Sequence, residues 1–202
     1  LGMPNKVTAV LANAAHDNSE VEDVSVAVMQ YGQGTLAQVT SSVIHHGQEQ
    51  QLIFQGEKAR ISAPWKVVAS RAQENGFPLP YPELEEKIEA FYRGLPALKY
   101  TGHTGQIDDI LTAIETNGEP LITGEQGRMT IELITAIYKA GSEQRTINLP
   151  IRQNDPFYTV EGIRQNVPHF HQKTGSLPQL DGKITVGSDY LPDPDKTGGS
   201  GS

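Results

Sequence analysis

The chain changes its hydrophobic pattern near residue 72. Before that point apolar and polar residues alternate, most clearly at Val24, Val26 and Val28, a period typical of β-strands with one buried face. The pattern predicts strands over residues 7–11, 24–29, 35–44, 51–55, 59–62 and 66–70. Short glycine-containing turns at residues 31–34 and 56–58 join neighbouring strands, so we expect antiparallel hairpins.

Beyond a proline-rich loop at residues 71–82, apolar residues recur at helical spacing. They predict helices over residues 82–92, 104–116 and 125–140. Gly118 is predicted to end the second of these helices and Gly141 the third. Residues 146–151 are predicted to form a returning strand. Strands followed by helices predict an α+β fold, a largely antiparallel open β-sheet with helices packed on one face.

The domain organisation follows from where this pattern fades. We expect one α+β domain over residues 1–151 and an extended C-terminal arm over residues 152–188 that wraps a neighbouring subunit and carries a short helix at 160–170. Residues 189–202 are expected to be a flexible tail, because their Gly-Ser ending is typical of linkers. Since the chain opens at Leu1 rather than Met, we also expect it to be part of a longer protein.

Composition removes several classes of function. The 202 residues contain no Cys, which excludes disulfides, thiolate nucleophiles, Cys-ligated zinc and iron–sulfur clusters. A net charge of -8 disfavours nucleic acid and anionic membrane surfaces as partners. No apolar run approaches the roughly 18 residues of a transmembrane helix, and we expect a cytoplasmic protein.

One glycine motif has the letters of a nucleotide site. Residues 32–37, GQGTLA, fit the dinucleotide fingerprint G-x-G-x-x-A, which requires a strand that turns tightly into a helix. Predicted strands lie on both sides of it here, so we predict a hairpin turn. The sequence contains neither a phosphate-binding P-loop motif nor the nucleophile elbow G-x-S-x-G.

Histidines are the main candidates for chemistry. His45 and His46 end a predicted strand, where adjacent side chains point to opposite faces, and surface or interface roles are the alternative. His103 precedes a predicted helix, and capping of that helix is its alternative role. The chain has six in all: His16, His45, His46, His103, His169 and His171.

Four stretches occur in the order found in a known family. They are VEDVSVAVMQYGQGTLAQV at residues 21–39, LIFQGEKARI at 52–61, GHTGQIDDILTAI at 102–114 and GEQGRMTIELITAIY at 124–138. Together they resemble the C-terminal domain of the glucose–fructose oxidoreductase, inositol dehydrogenase and MocA (Gfo/Idh/MocA) family. The resemblance covers roughly residues 1–151.

The resemblance implies part of an NAD(P)-dependent oxidoreductase that acts on CH–OH groups of a sugar or polyol. By position, His45, His46 and Gln48 match the strand-end loop that reaches substrate hydroxyls, and His103 is a further substrate-binding candidate. Trp65 is predicted to be core, with sugar stacking as the alternative. The family's E-K-P and G-G-x-x-x-D-x-x-x-H motifs are absent from this sequence. We therefore assign no catalytic, cofactor-binding or metal-binding residue and expect the isolated chain to be inactive.

The resemblance also implies partners for the domain. NAD or NADP is expected in the full-length protein, with no cofactor bound by this chain alone, and a homo-oligomer is expected to form through the open sheet. That association predicts a sheet with one apolar or small-residue face left uncovered. The alternative is a stand-alone, non-catalytic binding or scaffold module with the same sheet fold. A metal-dependent enzyme that uses the six histidines is a third hypothesis.

Overall fold

The computed structural model describes residues 1–46, 51–100 and 102–176. They form two compact units, which divide within one helix. The first unit contains residues 1–46 and 109–176, and the second contains residues 51–100 and 102–108.

Eight strands and four α-helices lie within the described ranges. The strands are β1 (Lys6–Ala12), β2 (Val24–Gln30), β3 (Leu36–Ser42), β4 (Leu52–Gln55), β5 (Ala59–Ala63), β6 (Lys66–Arg71), β7 (Leu79–Pro80) and β8 (Ile147–Asn148). The helices are α1 (Pro82–Arg93), α2 (Gly102–Thr116), α3 (Gly124–Glu143) and α4 (Val160–Asn166).

The first unit is built on a four-stranded antiparallel sheet of order β3-β2-β1-β8. Alternation along the strands places every second residue on the face that packs against α3. The core joins this face to the helix and consists of Val7, Ala9, Ala27, Met29, Ala136, Ala140 and Ile147. Small residues dominate it, so the helix lies close to the sheet.

Local signals fix the ends of α3. The Thr123 side chain accepts the Gln126 N–H, and the Gln126 side chain accepts the Thr123 N–H, which completes a capping box. At the other end the chain leaves the helix at Gln144, whose φ of 50° is left-handed. The predicted stop at Gly141 is wrong, because the helix continues through it to Glu143.

The second unit has an antiparallel sheet of order β4-β5-β6-β7, with α1 packed against β6. The Glu85 carboxylate of α1 accepts the Ala69 N–H at 2.7 Å. Trp65 stacks on Tyr92 with ring centroids 3.7 Å apart, and its Nε1 donates to Glu89 at 2.9 Å. Trp65 therefore packs between sheet and helix, but it is only partly buried, whereas a core position was predicted for it.

Part of the predicted arm folds onto the first unit. Asp155 caps a 3-10 turn, Pro156–Tyr158, and Thr159 caps α4. The Phe157 side chain is buried beside α3, and the Phe170 N–H donates to the Glu20 carbonyl. Residues 152–176 therefore pack on their own chain, and these contacts do not support a reach to a neighbouring subunit. Residues 177–188 of the arm and the tail at 189–202 lie outside the described residues.

The predicted α+β fold is confirmed: strands precede helices, both sheets are antiparallel, and helices pack on them. The strands are divided between two sheets, and the strand predicted at residues 146–151 is limited to Ile147–Asn148. None of the helices in the described ranges combines the length and apolar composition that crossing a bilayer requires.

Candidate functional site

Two loops meet at one end of the sheet of the first unit. The strand register places Ala12, Val24 and Ser42 side by side there. Residues 13–23 connect β1 to β2 at this end, and residues 43–46 leave β3 from the same end. The sheet therefore brings together two segments separated by about twenty residues in the chain.

His45 and His46 lie in the segment that leaves β3. The Ser42 hydroxyl oxygen accepts the N–H groups of Ile44 and His45, both at 3.2 Å, and this turns the chain out of the strand. Both histidines are exposed. Imidazole can donate and accept hydrogen bonds, so this pair is suited to binding a hydroxylated ligand.

The other predicted site residues are His103 and Gln48. His103 belongs to the second unit and lies in the first turn of α2, exposed, with Nδ1 3.1 Å from the Gln106 Oε1. This contact within the first turn fits the helix-terminal role that was its alternative. Gln48 lies outside the described residues.

Asp23 anchors the loop between β1 and β2. Its side chain is almost fully buried and accepts the N–H groups of Ala14 and Ala15 at 2.9 Å and of His16 at 3.2 Å. Burial alone would raise the pKa of the Asp23 carboxyl, but these N–H donors and the His16 ring lower it to about 2. The group is therefore a carboxylate at neutral pH.

The His16 ring is held by that carboxylate. Its Nδ1 lies 3.0 Å from the Asp23 Oδ2, and its side chain is 52% exposed. The sequence shows His16 as one of six histidines and does not indicate that it pairs with Asp23. The available signal was an Asp immediately before a strand, with a His seven residues earlier in the same loop.

Further contacts hold the rest of this loop. The Asn13 Nδ2 donates to the carbonyls of His16 at 3.0 Å and Val21 at 2.9 Å. The Tyr138 hydroxyl of α3 donates to the Glu22 Oε1 at 2.5 Å, and burial together with this contact raises the pKa of Tyr138 to about 12. The loop is thus tied both to itself and to α3.

One face of the sheet in the first unit carries exposed apolar side chains. We call it the open face, defined by Val10, Val26, Val28 and Leu36, whose exposed fractions are 67%, 38%, 38% and 66%. These residues alternate with those that pack on α3. The sheet is therefore covered on one side and carries an uncovered apolar patch on the other.

The described residues do not form a dinucleotide cradle at the glycine motif. Gly32–Gly34 is a 3-10 turn between the antiparallel strands β2 and β3, as predicted, whereas a dinucleotide site needs a turn into a helix. Across residues 1–46, 51–100 and 102–176, no three His, Asp or Glu side chains are grouped so that they could hold a metal ion.

Comparison with known proteins identifies one matching family model. The model described as "Oxidoreductase family, C-terminal alpha/beta domain" (GFO_IDH_MocA_C) matches residues 1–149. The comparison with curated proteins found no match.

Several solved structures have a similar fold. Aldose-aldose oxidoreductase from Caulobacter crescentus, solved with glycerol, is 24% identical with a TM-score of 0.51, over 73% of this chain and 42% of that one. WlbA dehydrogenase from Bordetella pertussis, solved with NADH and UDP-GlcNAcA, is 24% identical with a TM-score of 0.54, over 75% and 44%. Levoglucosan dehydrogenase, solved with NADH and levoglucosan, is 15% identical with a TM-score of 0.53, over 74% and 46%. This chain thus spans less than half the length of each.

Proposed function

The chain belongs to the Gfo/Idh/MocA oxidoreductase family, whose C-terminal alpha/beta domain it provides over residues 1–149, and on this premise we propose that it is the substrate-binding and oligomerisation domain of an NAD(P)-dependent sugar or polyol dehydrogenase. The domain is not catalytic by itself, and NAD or NADP is bound by the full-length protein. We place that protein in the cytoplasm.

The open face is the observation that carries the oligomerisation role. Val10, Val26 and Val28 lie on adjacent strands, so their side chains form one patch rather than scattered exposed residues. Covering apolar surface contributes about 25 cal/mol per Å². A flat sheet face can meet its own copy across a two-fold axis, because the same patch then serves both partners.

The substrate role rests on the sheet end of the first unit. His45 and His46 are exposed there on a turn fixed by Ser42, and both rings can exchange hydrogen bonds with hydroxyl groups. Gln48 and His103 are further substrate-binding residues of this proposal. Similar folds solved with NADH and a sugar-derived ligand support a sugar or polyol as the ligand class.

Light scattering on the 202-residue chain tests the oligomerisation role. We expect a homo-oligomer whose dissociation constant rises at least 10-fold in Val10→Lys, because the substitution places a charge in the open face. The matched control is Ile131→Lys on α3, where the side chain is 64% exposed, close to the 67% of Val10. A monomeric chain, or equal effects of the two variants, would contradict association through this face.

A cofactor titration tests the second part of the proposal. We expect NADH and NADPH to leave the fluorescence of Trp65 unchanged when they are added to this chain alone. Saturable quenching by either nucleotide would mean that a cofactor site exists within these 202 residues, and the division of roles proposed here would be wrong.

A further inference from the structure

The His16–Asp23 pair lies at the same sheet end as His45 and His46. The Val43 N–H donates to the Asp23 carbonyl at 3.0 Å, so the residue that holds the His16 ring also fixes the start of the turn that carries the other two histidines. All of these residues belong to the first unit. The sheet end thus carries three imidazoles on two adjoining segments.

The contact with Asp23 determines which nitrogen of His16 is available to a ligand. A carboxylate can only accept hydrogen bonds, so Nδ1 carries a proton and donates a hydrogen bond to Asp23. In the neutral ring, Nε2 then keeps its lone pair and is a hydrogen-bond acceptor. Within the described part of the chain, Nε2 has no hydrogen-bond partner, and the ring is half exposed.

Backbone donors hold the Asp23 carboxylate in addition to the imidazole. The backbone N–H groups of Ala14, Ala15 and His16 already donate to Asp23, and any residue except proline at position 16 could keep the third of these bonds. The loop is therefore anchored without the His16 side chain. What the ring adds is an oriented acceptor at the sheet end, fixed before any ligand arrives.

We propose that His16, oriented by Asp23, is a further substrate-binding residue that accepts a hydrogen bond from a hydroxyl group of a sugar or polyol at the same site as His45 and His46. This inference deepens the proposed function and rests on its substrate-binding part. In this proposal His16 contacts the ligand, and Asp23 is a positioning residue that acts through His16.

Side-chain NMR of the ¹⁵N-labelled chain tests the proposal, with glucose and myo-inositol as probes. We expect the free protein to show His16 in the Nδ1–H tautomer, and addition of a probe to shift the His16 Nε2 resonance. His16→Ala is expected to weaken probe binding about 3- to 10-fold, the effect of one lost hydrogen bond. His171→Ala, an exposed histidine of the same unit outside both loops, is expected to leave binding unchanged.

Asp23→Asn tests whether Asp23 acts through His16, because the His16 tautomer would not change if Asp23 only held the loop. Loss of the carboxylate is expected to return His16 toward the Nε2–H tautomer and to weaken probe binding together with that change. Folding of the variant is checked by the amide resonances of β1 and β2, which lie outside the loop.

The outcomes separate this inference from the proposed function. Shifts at His45, His46 and the His16 Nε2 support both, and a shift at His16 without the other two overturns the shared site, because the inference places the three rings together. Shifts at His45 and His46 without His16 keep the proposed function and overturn the inference. If no histidine responds, the substrate-binding role and the inference both fail, while oligomerisation through the open face is decided separately by light scattering.

Discussion

The backbone of Gly141 lies directly against the Leu11 side chain, where α3 crosses β1. A Cβ atom at position 141 would overlap the Leu11 side chain. The glycine therefore lies inside the helix because of a close approach between helix and sheet, and not because the helix ends there.

Substitution of this glycine is expected to reverse the usual effect of Gly→Ala in a helix. Alanine normally stabilises a helix interior by about 0.5–1 kcal/mol relative to glycine. At position 141 the added methyl group must displace Leu11, and overpacking costs about 1–3 kcal/mol. We expect Gly141→Ala to lower the free energy of unfolding by about 1–2 kcal/mol, measured by urea denaturation.

Gly127 offers a control within the same helix, since nothing lies within 4 Å of a Cβ placed there. Gly127→Ala is expected to raise the free energy of unfolding by up to about 1 kcal/mol. When Gly141→Ala is combined with Leu11→Ala, the total loss should be smaller than the sum of the two single losses, because the smaller side chain at position 11 makes room for the added methyl group. Equal effects of the two glycine substitutions would show that α3 does not approach Leu11 closely.

The fold was largely predictable because its signals are local. The period-two alternation at Val24, Val26 and Val28 gave β2, and the turn at residues 31–34 gave its hairpin with β3. The sequence predicts Gly141 as the end of α3 because a glycine that ends a helix cannot be told, from sequence alone, from a glycine that lets a strand approach the helix. Only the tertiary crossing of α3 over β1 distinguishes the two.

The candidate site was less predictable. His45 and His46 were identified by resemblance, and the structure places them on the turn after β3. The His16–Asp23 contact depends on how residues 13–23 fold back between two strands, and no periodicity encodes that path. Sequence alone could name the residue types in this loop but not which carboxylate meets which ring.

Asp23 is expected to make stability depend on pH in the acid range. Its pKa in the folded chain is about 2, against an ordinary 3.8, so its contribution is complete above pH 4 and is lost as the pH falls from about 4 to about 2. We expect the difference in melting temperature between the wild type and Asp23→Asn to be largest above pH 4 and to shrink toward zero at pH 2. A difference that stays constant down to pH 2 would contradict the anchored carboxylate.

Lys139 is expected to hold the start of the C-terminal segment on α3. Its buried ammonium lies 2.6 Å from the Glu143 Oε1 and 2.9 Å from the Asp155 Oδ1, and it lies over the Phe157 ring. Burial alone would lower the pKa of Lys139, but its two carboxylate partners raise it above the ordinary value, so the group stays charged. Lys139→Met removes the buried cation that the two carboxylates share, while Arg145 still pairs with Glu143, and we expect a loss of about 2 kcal/mol in urea denaturation.

Lys173→Met is the control for this prediction, because that side chain lies on an exposed part of the chain. Its effect is expected to remain within about 0.5 kcal/mol. If Lys139→Met were as neutral as the control, the ion cluster would contribute nothing to the attachment of residues 155–157.

Asn18 is expected to protect residues 173–175 from proteolysis. Its Oδ1 accepts the Thr174 N–H at 2.6 Å and the Thr174 hydroxyl at 2.9 Å, while its Nδ2 donates to the Gly175 carbonyl at 3.0 Å. Trypsin cleaves after Lys173, directly beside these contacts, and a protease needs the segment to open locally before it can cut. Asn18→Ala is therefore expected to speed cleavage of the Lys173–Thr174 bond about 3- to 10-fold, followed by mass spectrometry.

Asn166→Ala is the matched control for Asn18→Ala, because among the residues that the structure describes the Asn166 Nδ2 donates only to the Gly162 carbonyl within α4. Its cleavage rate at Lys173 is expected to equal that of the wild type. Equal rates in all three proteins would mean that the contacts of Asn18 do not hold residues 173–175 on the first unit. Faster cleavage in Asn18→Ala alone would instead locate the attachment of this segment at the β1–β2 loop, whose other members orient His16.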